Sequence, residues 1–137
     1  MRKFLTACVA MLMLAAPLSA QDAAPEGAIQ GVISSQMDAF RAGDVPGAWA
    51  HASPTIKRLF GTERNFAMMV QQGYPMVWQP GDIRFLELRE VDGKQRQEVI
   101  VRDADNVFHV LEYDMIKTED GWRIDGVHLV PAPQIGA

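Results

Sequence analysis

The chain has 137 residues, a formal net charge of −4 and a single cysteine. That length suits one domain and leaves no room for two. One cysteine excludes an internal disulfide. No lysine–arginine cluster is denser than Lys57-Arg58, which argues against nucleic acid, whose backbone needs several cationic contacts.

The first twenty residues read as a secretory signal peptide. Met1-Arg2-Lys3 is a basic start, Phe4 to Ala16 is apolar apart from Thr6, and Pro17-Leu18-Ser19-Ala20 supplies small residues near a cut. The apolar run is shorter than the ~20 residues a bilayer span requires. Leu5-Thr6-Ala7-Cys8 has the look of a lipoprotein cleavage box, but only four residues separate the charges from the cysteine. Cleavage after Ala20 is therefore expected. It removes Cys8, and with Arg2 and Lys3 gone the charge moves from −4 to −6. The mature chain is expected to be exported, periplasmic or extracellular. It would have no membrane insertion, no thiol nucleophile and no zinc–cysteine site.

Residues 21–27 form a polar leader, and a single domain is expected over 28–133. Ile29, Val32, Ile33, Met37 and Phe40 make one apolar stripe at helical spacing, closed by Gly43. Asp44 caps a second, short helix, with Pro46 in its first turn and Trp49 facing in. Ser53-Pro54 caps a third, Pro54 to Phe60, with Ile56, Leu59 and Phe60 inside. Thr62 caps a fourth, in which Phe66, Met69 and Val70 form the stripe and Gly73 is the stop. Tyr74 to Pro80 carries two prolines and is expected to be extended, with Met76-Val77-Trp78 as a short strand.

After Gly81 the period changes to two. Asp82 to Val91 and Lys94 to Arg102 read as strands joined by Asp92-Gly93, a strong hairpin signal. Val107 to Lys117 and Trp122 to Val130 read as the third and fourth, joined through Asp120-Gly121. Trp122 and Ile124 should share one face, and Arg123 and Asp125 the other. Gly126 breaks the alternation as a bulge would; a bulge there moves His128 onto the face of Arg123. Helices followed by a four-strand meander imply an α+β fold, with helices packed on a curved antiparallel sheet of four or more strands.

This layout resembles the nuclear transport factor 2-like superfamily, a cone-shaped fold that includes ketosteroid isomerase and polyketide-cyclase-like enzymes. The matching residues are Asp120-Gly121-Trp122-Arg123-Ile124 and the helix end Ala39-Phe40-Arg41-Ala42-Gly43-Asp44. Ala52-Ser53-Pro54-Thr55-Ile56, Phe60-Gly61 and Gly73-Tyr74-Pro75-Met76-Val77 are similar to segments of a family of short secreted bacterial domains of unknown function. The superfamily resemblance implies a pocket between helices and sheet that admits a small apolar molecule. It also implies, in some members, pairing of two copies through the sheet face.

Enzymes of the ketosteroid isomerase type use a carboxylate base together with a tyrosine and a protonated acid in an apolar pocket. Tyr113, Asp125 and His128 are the candidates for such acid–base work here; the chain also has Tyr74, Glu112 and Asp114. Each also has a structural reading: Tyr113 as a core ring with a wet hydroxyl, Asp125 as a solvated strand residue, His128 as a half-exposed strand histidine. His109 and His128 lie on neighbouring strands and could face each other, but no third ligand stands at metal-binding spacing, so no metal is expected. His51 reads as a cation at a helix end. No nucleophile elbow, phosphate loop or dinucleotide fingerprint is present, so no cofactor is expected. Tyr74, Trp78 and Trp49 are the candidate pocket residues, because rings on a connecting segment often line ligands. The function expected is a non-catalytic module for a small apolar ligand or a protein partner. The alternative is a cone-fold lyase, isomerase or hydrolase.

Overall fold

A computed structural model of the chain describes residues 25–131. The expected signal peptide, its cleavage point and Cys8 lie outside the described residues. Among the described residues five helices precede four strands: α1 (Glu26–Arg41), α2 (Val45–Ala50), α3 (Pro54–Phe60), α4 (Glu63–Gly73), α5 (Pro75–Trp78), β1 (Ile83–Val91), β2 (Lys94–Arg102), β3 (Phe108–Thr118) and β4 (Gly121–Val130). The strands form one curved, open antiparallel sheet in the order β1-β2-β3-β4, so the fold is α+β.

Local chemistry explains most element boundaries. The Asp44 carboxylate, the Ser53 hydroxyl and the Thr62 hydroxyl each accept a hydrogen bond from the backbone N–H three residues on, satisfying donors a helix start leaves free. Asp92 and Gly93 both have positive φ, 51° and 79°, which is the two-residue turn that matches strand twist. Gly121, at φ 110°, turns the chain into β4 with backbone freedom that a side chain would restrict.

Two expectations are corrected. Tyr74 to Pro80 is not extended: Pro75 to Trp78 is a single helical turn. Pro75 occupies the first position, where its missing N–H is no loss, and Pro80 lies beyond the end. The prolines frame the turn instead of interrupting it. Leu59 is not inside but 71% exposed, because α3 is too short to wrap a second apolar row against its neighbours. In addition, α1 begins at Glu26, within the stretch read as leader.

The core lies between α1 and one face of the sheet. Ile29, Ile33, Met37 and Phe40 from α1 meet Val99 and Val101 from β2, Leu111, Tyr113 and Met115 from β3, and Ile124 from β4. Each such side chain contributes about 1.5–3 kcal/mol by leaving water. Two irregularities bend the sheet. In β1 the register slips between Phe85 and Leu88. There the buried Gln97 carboxamide donates to the Leu86, Glu87 and Glu98 carbonyls, satisfying acceptors that the bulge frees. In β4 the register passes from Ile124↔Met115 to Gly126↔Asp114, leaving Asp125 as the extra residue. A bulge of this kind increases local twist and re-aims the side chains beyond it.

Candidate functional site

The helices do not close completely over the core. A cavity of about 230 Å³ opens between α1, α3, α4 and the outer edge of β4. Gln36 and Phe40 reach it from α1, Ile56, Leu59 and Phe60 from α3, and Phe66, Met69 and Val70 from α4. Tyr74 and Val77 close one end, and Ile124, Gly126, Val127 and His128 form the β4 rim. The wall is apolar almost throughout, and among the described residues no carboxylate, lysine or arginine lines it.

Tyr74 is the one candidate pocket residue that lines this cavity, and its hydroxyl donates to the Val127 carbonyl at 3.1 Å. That bond ties α5 to the edge of the sheet. Trp78 packs on Phe40 with ring centroids 5.6 Å apart, and Trp49 packs on Phe66 at 5.4 Å. Both tryptophans therefore stand behind the aromatic wall, and Lys57 lies over the outer face of Trp49 at 5.9 Å. Sequence reasoning missed the wall residues that project from separate helices, Gln36 above all. No local signal distinguishes a buried glutamine on an amphipathic helix from a surface one.

The three acid–base candidates are held apart. The bulge carries His128 to the outer face of the sheet, opposite Glu112. Its side chain is 57% exposed and its Nε2 lies 3.0 Å from Asp114 Oδ2. Asp125 is not solvated: its side chain is only 7% exposed. It accepts from the Ser53 hydroxyl at 2.7 Å and from Lys94 Nζ at 2.6 Å. Tyr113 is sealed in the core, and its hydroxyl is dry instead of wet, with no partner among the described residues. Burial first, and the nearby Tyr74 second, push its pKa far above the ordinary tyrosine value, so it stays a neutral phenol.

Replacing Tyr113 by phenylalanine removes a buried hydroxyl that makes no hydrogen bond, so stability should rise by about 1 kcal/mol. Urea denaturation checks this. A loss of similar size would mean that a buried water serves the hydroxyl.

The outer face of the sheet is a ladder of ion pairs. Arg89 meets Glu112 at 3.0 Å, Arg96 meets Asp114 at 2.8 Å, and His128 completes the row. Phe108, 66% exposed, lies toward one end. Burial alone would raise the Asp114 pKa. The hydrogen bonds from Arg96 and His128 outweigh it and hold the carboxyl below its ordinary value. A carboxyl depressed in the folded state contributes stability that is complete above its unfolded value, about 3.9, and lost as pH falls through the folded one. Acid titration should therefore show stability declining below about pH 4. In Asp114→Asn that acid limb should be shallower, whatever the change in stability at neutral pH. An unchanged slope would show that other carboxylates carry it.

The remaining histidines are engaged elsewhere. His109 pairs with Asp103 at 2.7 Å and sits opposite Val101, so the two strand histidines do not face each other. Burial first, and the Arg123 charge second, lower the His51 pKa, so it is held neutral instead of serving as a helix-end cation. Among the described residues, no group of three or more His, Cys, Asp or Glu side chains is placed to hold a metal. Among them, too, no helix is long and apolar enough to cross a membrane.

A family described as Domain of unknown function (DUF4864) matches residues 22–137. The resemblance to a family without an assigned function holds at that level. No curated protein and no solved structure gives a match.

Proposed function

The chain belongs to the family described as Domain of unknown function (DUF4864), and from that starting point we propose that it is a non-catalytic module that holds a small apolar ligand. The observation that carries this reading is the apolar cavity between α1, α3, α4 and β4. Its size narrows the class. An engineered cavity of about 150 Å³ takes up benzene, while pockets for drug-sized molecules run from about 300 to 1,000 Å³. A void of about 230 Å³ suits one ring with a short substituent, or a short branched chain. A fused four-ring steroid is too large for it.

The alternative, a cone-fold lyase, isomerase or hydrolase, needs a titratable group facing the substrate. Among the described residues the cavity wall has no carboxylate, the Tyr113 hydroxyl is sealed, and His128, at the rim, has its Nε2 engaged by Asp114. These observations favour holding a ligand over transforming one. The order of helices and then a curved sheet is also the layout of the nuclear transport factor 2-like superfamily, where helices and sheet enclose such a pocket. The basic, apolar and small-residue sequence of Met1 to Ala20 supports export of the domain, and an intact mass lacking those residues in the extracytoplasmic fraction tests it.

The ligand reading is tested by NMR titration of the folded domain with toluene and cyclohexane, alongside native mass spectrometry of protein purified from its host. The amide signals of Phe60, Val70 and Tyr74 should move and saturate. Met69→Trp, which fills the void with a larger ring, should abolish the response. Absence of any saturable shift, or an undiminished response in Met69→Trp, overturns the reading.

A further inference from the structure

The cavity has one polar side chain set deep in its wall. Gln36 lies on α1 one turn before Phe40, is only 3% exposed, and lines the void. Its Nε2 donates to the Ala48 carbonyl at 3.1 Å. A carbonyl can only accept, so this bond fixes which end of the carboxamide is nitrogen. The other end, Oε1, is then an acceptor, and no described residue donates to it. Two other side-chain atoms, Gln97 Oε1 and Tyr113 Oη, are enclosed without partners. Gln36 Oε1 is not among them, and the cavity that Gln36 lines is the space this oxygen can share with a ligand.

A ligand body that fills the cavity displaces water from Oε1, and an oxygen left buried without a donor is unfavourable by about 1–3 kcal/mol. A ligand that brings its own donor avoids that penalty. The second polar group on the wall has the same bias. The Tyr74 hydroxyl already gives its proton to the Val127 carbonyl, which leaves its oxygen free only to accept. The wall thus offers two acceptors; its side-chain donors are the second N–H of the Gln36 carboxamide and the rim histidine, whose Nε2 is engaged by Asp114. It also has no charge to match an ion, and an ion stripped of water in an apolar wall is strongly disfavoured.

Resting on the reading of this cavity as a ligand site, we infer that its ligand is a neutral hydroxyl compound of one-ring size, a phenol or small alcohol, whose O–H donates to Gln36 Oε1. Gln36 is the residue that determines specificity. The apolar body of the ligand lies against Phe40, Phe66 and Val70. Ketones, ethers and esters of the same size bring only acceptors and leave the Gln36 oxygen unpaired. Carboxylates bring an uncompensated charge.

The test compares phenol with toluene, which have nearly the same shape and differ in the donor. Both affinities are measured by NMR titration on the wild-type domain and on Gln36→Met, which keeps the side-chain length and removes the acceptor. The ratio of phenol to toluene affinity should fall about five-fold in the variant, the worth of one hydrogen bond, while toluene affinity changes little. In the wild type, the Gln36 side-chain amide signals should move with phenol and much less with toluene. That second readout stands even if Gln36→Met does not fold. If both probes bind but the ratio and the amide signals do not distinguish them, the donor assignment is overturned and the apolar site remains. If neither probe binds, the ligand site itself is overturned, and the inference with it.

Discussion

Phe40→Ala should lower the stability of the domain by about 3–5 kcal/mol. Phe40 is 1% exposed and stands where three parts of the structure meet. Its ring lies 6.0 Å from that of Phe66 on α4 and 5.6 Å from that of Trp78 on α5. It also forms part of the cavity wall. Truncation removes the transfer energy of the ring and leaves a hole that opens directly into the existing void. The surroundings cannot collapse to fill it, which puts the loss toward the upper part of the range for such changes. Native domains have only about 5–15 kcal/mol in total, so the variant should melt roughly 10–20 °C lower. Urea denaturation with an unchanged m-value would establish that the folded state, and not the unfolded one, has been altered. A loss below about 1.5 kcal/mol would mean that α4 and α5 repack over the gap.

The second largest effect is expected at Asp125. Its carboxylate accepts from the Ser53 hydroxyl, which in turn accepts from the Ile56 N–H at the start of α3. The backbone runs beside it: Ser53 N–H donates to the Ile124 carbonyl and Ile124 N–H to the His51 carbonyl, both at 2.8 Å. Asp125 therefore joins the β4 bulge to the segment that leads into α3. Asp125→Ala leaves the enclosed Ser53 hydroxyl without its acceptor and the bulge without its side-chain anchor. The expected loss is about 2 kcal/mol, within the range for charge-assisted hydrogen bonds. Lys94 is the control. It holds the same carboxylate at 2.6 Å, but its side chain is 45% exposed, so Lys94→Ala should matter by less than about 1 kcal/mol. Equal losses in the two variants would show that the ion pair, and not the Ser53 contact, carries the effect. Ligand binding in the cavity should survive both substitutions, because neither residue lines it.

Much of this fold was legible residue by residue. Asp44, Ser53 and Thr62 marked three helix starts, because a cap is a hydrogen bond across three residues and needs no distant partner. Asp92-Gly93 marked a hairpin, because only certain residues tolerate positive φ. The alternating pattern from Ile83 onward carried the strands, and their short connections made sequential antiparallel order the simplest arrangement. The one turn read wrongly, Pro75 to Trp78, was also local: a proline can open a helix as well as stop one, and Tyr74-Pro75 alone does not say which.

What tertiary structure decided was everything that depends on which side chains meet across long stretches of chain. Whether β4 bulged at Asp125 turned on Asp125 finding Ser53, 72 residues away, and that choice sent His128 to the outer face and Asp114. The cavity is enclosed by side chains from separate helices and from β4 together, Phe40, Phe66 and Tyr74 among them, and by no one of them alone. Gln36 took its place in the wall with its nitrogen held by the Ala48 carbonyl, twelve residues on. Caps, turns and periodicity are written in neighbouring residues, so sequence alone determined the elements. A site is made of residues brought together by packing, so only the folded chain determined where a ligand could lie.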